Sequence, residues 1–355
     1  MNNPLPQNIT STSLSWLEGL PPGYFALIMS TGILSFAFDK IGMPLLSDAL
    51  YVLTLFAWVC LVCLSVWRVM RFPQAVRIDL LSIRRVFAYF TMVVATSIVG
   101  VLLNMHGWQQ LSLAFWAFAF LSWSALLYLS FSVLTFLTHE TSVNVVHGDW
   151  LTSIVATQSL VLLGAQIAPQ LGDYAGYMLV EIHMLWMLGL TFYGIFITLF
   201  CYRIFFLSFK PEDTSPLLWV IMGAAAVSAN AGTSLLSADA HLPFILAIRP
   251  FIDGVALMLW AWSTWWIPML IIFGIWKHVI RRYPLRYEPV LWSMVFPLGM
   301  YAVASFKLGL ATDFSPLEWI SRIMVWIAFA TLCTVMFGML LHLFRPQRKP
   351  DTTPH

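Results

Sequence analysis

Few side chains in this chain could exchange a proton inside apolar surroundings. Glu181 and His183 stand two apart in the stretch VEIHM, and Asp253 follows Arg249 by four residues. A carboxylate or imidazole so placed can change charge as an ion passes, the chemistry that couples transport to a proton or sodium gradient. Asp253 also has a plainer use, because a spacing of four on a helix lets it pair with Arg249. A second group, His139, Glu140, His147 and Asp149 in THETSVNVVHGDW, holds acceptable metal-ligand types. Its spacing matches no metal motif and it has no nucleophile beside a base. A solvated loop is therefore expected, and the chain is not expected to be an enzyme. Cys60 and Cys63 form a CxxC, but they, Cys201 and Cys333 all lie in apolar stretches, where buried helix thiols are expected instead of a zinc or redox centre. No metal and no cofactor is expected.

A third set is chemically milder and recurs. Small and hydroxyl residues cluster near the middle of alternate apolar stretches: Ser30, Thr31 and Gly32; Thr96, Ser97 and Gly100; Thr157, Ser159 and Gly164; Ser228 and Asn230; Pro297 and Gly299. These five stretches contain no Asp or Glu, whereas Lys307 closes the last of them and Arg84 and Arg85 precede the second. Hydroxyls and helix dipoles with positive charge at the ends favour anions over cations. Each feature also has an ordinary reading. Small residues allow close helix packing, Lys307 can snorkel to an interface, and Arg84 and Arg85 can simply mark orientation. In VLWSMVFPLGMYAVAS, Pro297 deprives the Ser293 carbonyl of its helical partner. Such a carbonyl is tolerated in a membrane where protein or water reaches it. With Gly299 close behind, a bend would re-aim Phe296, a ring large enough to plug a conduit by excluding water, and Gly32 is a further place for the pore helices to bend. Packing between helices is the plainer role for the same ring.

The elements that must position these residues are membrane spans. The 355 residues are 60% hydrophobic and 10% charged, where soluble domains carry roughly 25% charge. Apolar runs near the roughly 20 residues that a span needs recur ten times, near 22–38, 46–71, 85–105, 110–138, 150–168, 174–206, 217–236, 250–278, 290–307 and 317–344. The reading is an all-α integral membrane protein. Its ten spans form five helical hairpins, with odd helices around a central pore and ring-rich even helices outside. Residues 1–21 form a polar tail without the basic start of a signal peptide, 22–344 the transmembrane domain, and 345–355 a second tail. Fourteen of the eighteen Lys and Arg fall on the side that holds both tails: Arg68, Arg71, Arg77, Arg84, Arg85, Arg203, Lys210, Lys277, Arg281, Arg282, Arg286, Arg345, Arg348 and Lys349. Both tails are therefore expected in the cytoplasm, with the chain in the plasma membrane. No GxxxxGK[ST] is present, so nucleotide-driven pumping is not expected. The net charge of +2 gives no reason to expect a nucleic-acid partner.

PPGYFALIMSTGILS at 21–35, WLTSIVATQSLVLLGA at 150–165 and STWWIPMLIIFGIWKHVIRRYPLRYEPVLWSMVFPLGMYAVAS at 263–305 resemble the bacterial branch of the tellurite-resistance/dicarboxylate transporter family. It is also called the voltage-dependent anion channel family, and includes slow anion channels of plant guard cells, a fungal malate permease and fungal sulfite exporters. The resemblance implies ten helices in five hairpins, inner helices kinked at mid-membrane around a pore, and a homotrimer with one pore per subunit. It also implies a pore-occluding phenylalanine on the ninth span, here Phe296. Small inorganic or organic anions are the expected substrates, with chloride, nitrate, malate and sulfite all open. A passive anion channel or facilitator is the first expectation. The alternative is a proton-coupled transporter of dicarboxylate or sulfite, relying on Glu181, His183 or Asp253.

Overall fold

A computed structural model of the chain describes residues 14–137, 148–207, 210–238 and 242–344. We label its long helices α1 (Phe25–Lys40), α2 (Pro44–Arg71), α3 (Phe90–Met105), α4 (Gln109–Ser132), α5 (Trp150–Ile167), α6 (Ala175–Phe206), α7 (Trp219–Ser237), α8 (Pro243–Ile275), α9 (Trp292–Thr312) and α10 (Ser315–Phe344). Among the described residues there is no strand, and nine helices are long and apolar enough to cross a membrane. Helix α1, 16 residues long, is not among those nine.

Proline sets several of the starts. Pro44 and Pro243 open α2 and α8 at positions where a missing N–H costs nothing. Short 3-10 turns lead into four of the odd helices, beginning at Pro22, Val86, Pro216 and Pro289, and an aromatic residue follows each. The eighth span departs from expectation. It starts at Pro243 instead of near 250, because Pro250 is carried inside the helix on an exposed face, where it removes a single backbone bond.

The odd helices close a ring: α1 packs on α3, α3 on α5, α5 on α7, α7 on α9 and α9 on α1. Each even helix packs on the odd helix before it in the chain and also touches the next one round the ring. Burial follows this order. Of the most apolar stretches of α3, α5, α7 and α9, 72–94% is buried, against 11–33% for the five even helices. In α1 only Leu27, Asp39 and Lys40 escape burial. The even helices turn Leu45, Phe56, Leu121 and Tyr128 outward, a surface that suits hydrocarbon and not water. The cysteines lie on these outer helices, half-buried at Cys60 and Cys201 and exposed at Cys63 and Cys333, so the expected buried thiols are not found.

Polar bonds tie the outer layer to the ring. The Trp58 indole donates to Thr96, Trp123 to Thr157, Trp186 to the Ser228 carbonyl and Trp260 to Ser305, while the Thr54 hydroxyl donates to Thr31. Glycine lets the ring close tightly. A Cβ at Gly223 would lie 2.8 Å from Cγ of Pro297, and one at Gly299 would lie 2.8 Å from Cγ2 of Ile33. A proline ring cannot swing aside. We therefore expect Gly223→Ala to cost about 1–3 kcal/mol, read as a lower melting temperature of the purified protein in detergent. An unchanged melting temperature would mean that α7 and α9 do not meet this closely.

Candidate functional site

Two cavities lie along the ring, and each is walled by all five odd helices or the residues leading into them. The larger, about 440 Å3, sits where those helices begin. Gly23 reaches it just before α1, Ala88 and Thr91 at α3, Asp149 and Thr152 at α5, Leu217 before α7, and Ser293 on α9. Five helix N-termini therefore converge on one space. Each carries roughly half a positive charge from its unpaired N–H groups, which is the setting that attracts anions. Arg84 and Arg85 add full positive charge to the wall, and Asp79, Asp149 and Glu288 add negative charge.

Asp79, on a short helix Pro73–Leu80, is largely silent electrostatically because it is fully engaged. Arg68 reaches its Oδ2 and Arg85 its Oδ1, both at 2.7 Å. Arg68 also donates through Nε and Nη2 to the Glu18 carbonyl and through Nη1 to the Tyr89 hydroxyl. One buried guanidinium thus fastens the segment ahead of α1, the start of α3 and the Asp79 helix around the mouth of the cavity. Asp149 is different. Burial pushes its carboxyl from an ordinary value of 3.8 up to about 7.

The smaller cavity, about 10 Å3, is lined by Gly32, Ile33 and Phe36 of α1, Ile98 and Val101 of α3, Leu162 and Gln166 of α5, Asn230 of α7 and Lys307 of α9. It has room for about one water. Phe296 lies between the two cavities along α9. Ser293 of the first cavity is three residues before it, about 4.5 Å along the axis, and Lys307 of the second is about 16 Å beyond. Phe296 is 2% exposed, and the helix continues through Pro297, whose ring rests against Gly223.

The residues singled out in the sequence divide among these places. Arg84 and Arg85 line the large cavity, and Gly32, Asn230 and Lys307 the small one. The other hydroxyl and glycine positions line neither. Thr31, Thr157, Ser159 and Ser228 each lie within hydrogen-bond reach of a carbonyl one turn back in their own helix. Thr31, Thr96 and Thr157 also accept from the outer layer. Ser30 reaches the carbonyls of Ala26 and, across the ring, Trp292. Ser97 is buried and its hydroxyl has no partner among the described residues. A Cβ at Gly32, Gly100 or Gly164 would meet Ile98, Leu163 or Ile182 at 2.5 Å or less, so these glycines set helix approach.

Of the proton-exchanging set, Glu181 is half-buried on α6 and Asp253 is exposed on α8. Arg249 donates to the Leu236 carbonyl on α7. His183 is buried, with Nδ1 2.6 Å from the Leu179 carbonyl and Nε2 without a partner among the described residues. None of the three lines either cavity. His139, Glu140 and His147 lie outside the described residues. Among those described, no cluster of three metal-ligand types occurs. Phe36, Gln166 and Asp79 escaped the sequence reading, and Arg68 entered it only as an orientation charge. Asp79, an acid flanked by Arg77, Arg84 and Arg85, carried a signal, since charges in such a cluster need partners.

Comparison with known proteins gives a family match. A family model described as voltage-dependent anion channel matches residues 19–340. An uncharacterized transporter of Methanocaldococcus jannaschii is 23% identical over 324 residues, covering 89% of this chain and 92% of its own length. A second uncharacterized transporter of the same organism is 24% identical over 185 residues, 52% of each chain. An uncharacterized membrane protein of Mycobacterium tuberculosis is 41% identical over 142 residues, 40% of this chain and 71% of its own.

Proposed function

The chain belongs to the voltage-dependent anion channel family, and from that premise we propose that it is a passive anion channel or facilitator. Its conduit would run along the axis of the five odd helices, closed by Phe296. One observation carries the reading: two cavities, each walled by all five odd helices, stand on either side of Phe296 on α9. The converging helix N-termini favour an anion in the larger cavity, where Arg84 adds positive charge, Arg85 is paired with Asp79, and Asp149 and Glu288 oppose them. In this reading α1 is the tenth span, the spans pair as five hairpins, and the larger cavity opens to the cytoplasm on the side of both tails. The plasma membrane is the location, and a homotrimer the assembly. Because most mid-helix ring hydroxyls are committed to helix carbonyls, Asn230 and Gln166, which line the smaller cavity, are the uncharged polar side chains that would meet a passing ion there.

The test is anion efflux from proteoliposomes at equal pH on both sides. We expect Phe296→Ala to pass chloride under a membrane potential alone. The second reading, proton-coupled transport, has the unpartnered Nε2 of buried His183 in its favour. It requires flux to depend on a pH gradient and to stop in His183→Gln, an outcome that would displace the channel reading.

Asp149 yields a separate expectation. A carboxyl whose pKa is raised on folding binds its proton more tightly in the folded state. Its contribution to stability is full below about 3.8 and is lost as pH rises through about 7. The melting temperature of the wild type should therefore fall relative to Asp149→Asn between about pH 5 and about pH 8. In the larger cavity the same ionisation adds a negative charge among Arg84, Arg85, Asp79 and Glu288. Chloride current through Phe296→Ala at symmetrical pH should decline over that interval, and the decline should vanish when Asp149→Asn is added. Parallel pH profiles with and without Asp149 would remove it from the account.

A further inference from the structure

Lys307 brings an ammonium group into the ring with little to neutralise it. Its Nζ donates to Ser234 Oγ at 2.8 Å, and that hydroxyl in turn lies 2.7 Å from the Asn230 carbonyl. No ion pair to Lys307 occurs among the described residues. A second ammonium, Lys40, shares its neighbourhood: the two Nζ atoms lie 5.6 and 5.0 Å from the centre of the Phe36 ring. The acid beside Lys40, Asp39, is 3.0 Å from it and is spent on that pair. Positive charge held in a low-dielectric wall without a counter-charge is costly, and an anion is what relieves it.

Asn230 gives a second, independent observation. It is 2% exposed and lines the same small cavity as Lys307. Among the described residues its Oδ1 meets no donor, and its Nδ2 has only the thioether of Met300, at 3.1 Å. Sulfur is a weak acceptor, and a half-turn of the amide exchanges its two ends. Asn230 can therefore aim N–H groups into the cavity at little loss. The Gln166 side chain stands on the same wall.

We propose that this cavity is a binding site for one small monovalent anion of halide size, held by the Lys307 ammonium and the Asn230 amide. The inference rests on the conduit reading above and adds to it a waiting place beyond Phe296 and a size class. A cavity of about 10 Å3 is near the lower limit for one water, so among the anions considered a halide needs the least give from its walls. A dicarboxylate is several times larger and does not fit. An anion here would also be separated by Phe296 from the cytoplasmic cavity, so that it meets the gate from the far side.

The first arm of the test does not depend on conduction. Thermal melting of the purified full-length chain in detergent is followed in chloride, bromide or malate at constant ionic strength, with gluconate as the reference. We expect chloride and bromide to raise the melting temperature of the wild type along a saturating curve and malate to leave it unmoved. Lys307→Met should abolish the halide curve, and Lys307→Arg should keep part of it. If Lys307→Met does not fold, Asn230→Ala should shift the same curve to about tenfold higher halide. A wild type indifferent to halide, or a Lys307→Met curve identical to that of the wild type, overturns the site.

The second arm measures chloride current against chloride concentration in Phe296→Ala, with and without Lys307→Met. The half-saturating concentration should rise about tenfold in the double variant. If Phe296→Ala is silent while the halide curve still depends on Lys307, the site stands and the conduit reading fails. If Phe296→Ala conducts and neither readout moves with Lys307, the conduit stands and the site fails.

Discussion

Replacing Phe296 by alanine should turn a closed protein into a conducting one, with anion current at least about tenfold above wild type. The ring is buried, its residue stands along α9 between Ser293 of one cavity and Lys307 of the other, and its helix loses one backbone bond at Pro297. A hydrophobic constriction stops ions because a stripped ion gains nothing there to replace its water. Removing the ring lets water join the two spaces, and the ion keeps its shell. The response should be graded: Phe296→Leu opens partly, and Phe296→Trp stays closed. Emptying so buried a position also costs about 3–5 kcal/mol. The comparison therefore uses protein shown by size and melting to be folded, measured as current in planar bilayers. A folded Phe296→Ala no more conductive than wild type would leave the ring with a packing role only.

The largest effect on stability should come from Asp79. Its carboxylate and the Arg68 guanidinium are 4% and 7% exposed, 2.7 Å apart, with Arg85 on the other oxygen. Breaking a buried pair by neutralising one partner leaves the other charge without compensation, at about 3–5 kcal/mol. Asp79→Asn should approach that figure, since it strands Arg68. Arg68→Met should cost as much or more, because it also releases the Glu18 carbonyl and the Tyr89 hydroxyl. The double variant Arg68→Met with Asp79→Leu should recover part of the loss, because replacing both charges removes the desolvation penalty along with the attraction. Thermal melting of the four proteins decides this. Losses that simply add would show that the two residues are not coupled.

The two-layer plan was legible in the sequence because it is written in composition. Runs such as the apolar core of α2 leave no alternative to a span, and the concentration of Ser, Thr, Gly and Asn in alternate stretches matches the buried ring of the odd helices. What each small residue faces was not legible. Thr157 and Ser97 are each the eighth residue of their helices, yet Thr157 is bound to Trp123 while Ser97 has no partner among the described residues. That difference depends on a helix some 30 residues away in sequence and on the rotation of both, which spacing does not specify. Gly32 shows the same limit. It was read as a place to bend and is a place of contact, as well as a wall of the small cavity. Arg84 and Arg85 were found by charge and do line a cavity. Their setting, five helix starts around one space, needed the ring to be closed. The repeated turn and aromatic residue ahead of the odd helices was present in the sequence as a signal, at Pro22, Pro216 and Pro289. It marks where each inner helix starts, so it could have placed the mouth.

The central claim is that anions pass along the axis of the odd helices once Phe296 is out of the way. The reversal potential of Phe296→Ala under a tenfold chloride gradient, with a large organic cation on both sides and equal pH, tests it most directly. The account predicts a reversal potential near that of chloride, about 59 mV in magnitude, which moves when chloride on one side is replaced by nitrate or sulfite. A reversal potential that ignores chloride, or one that follows an imposed pH gradient instead, would contradict it.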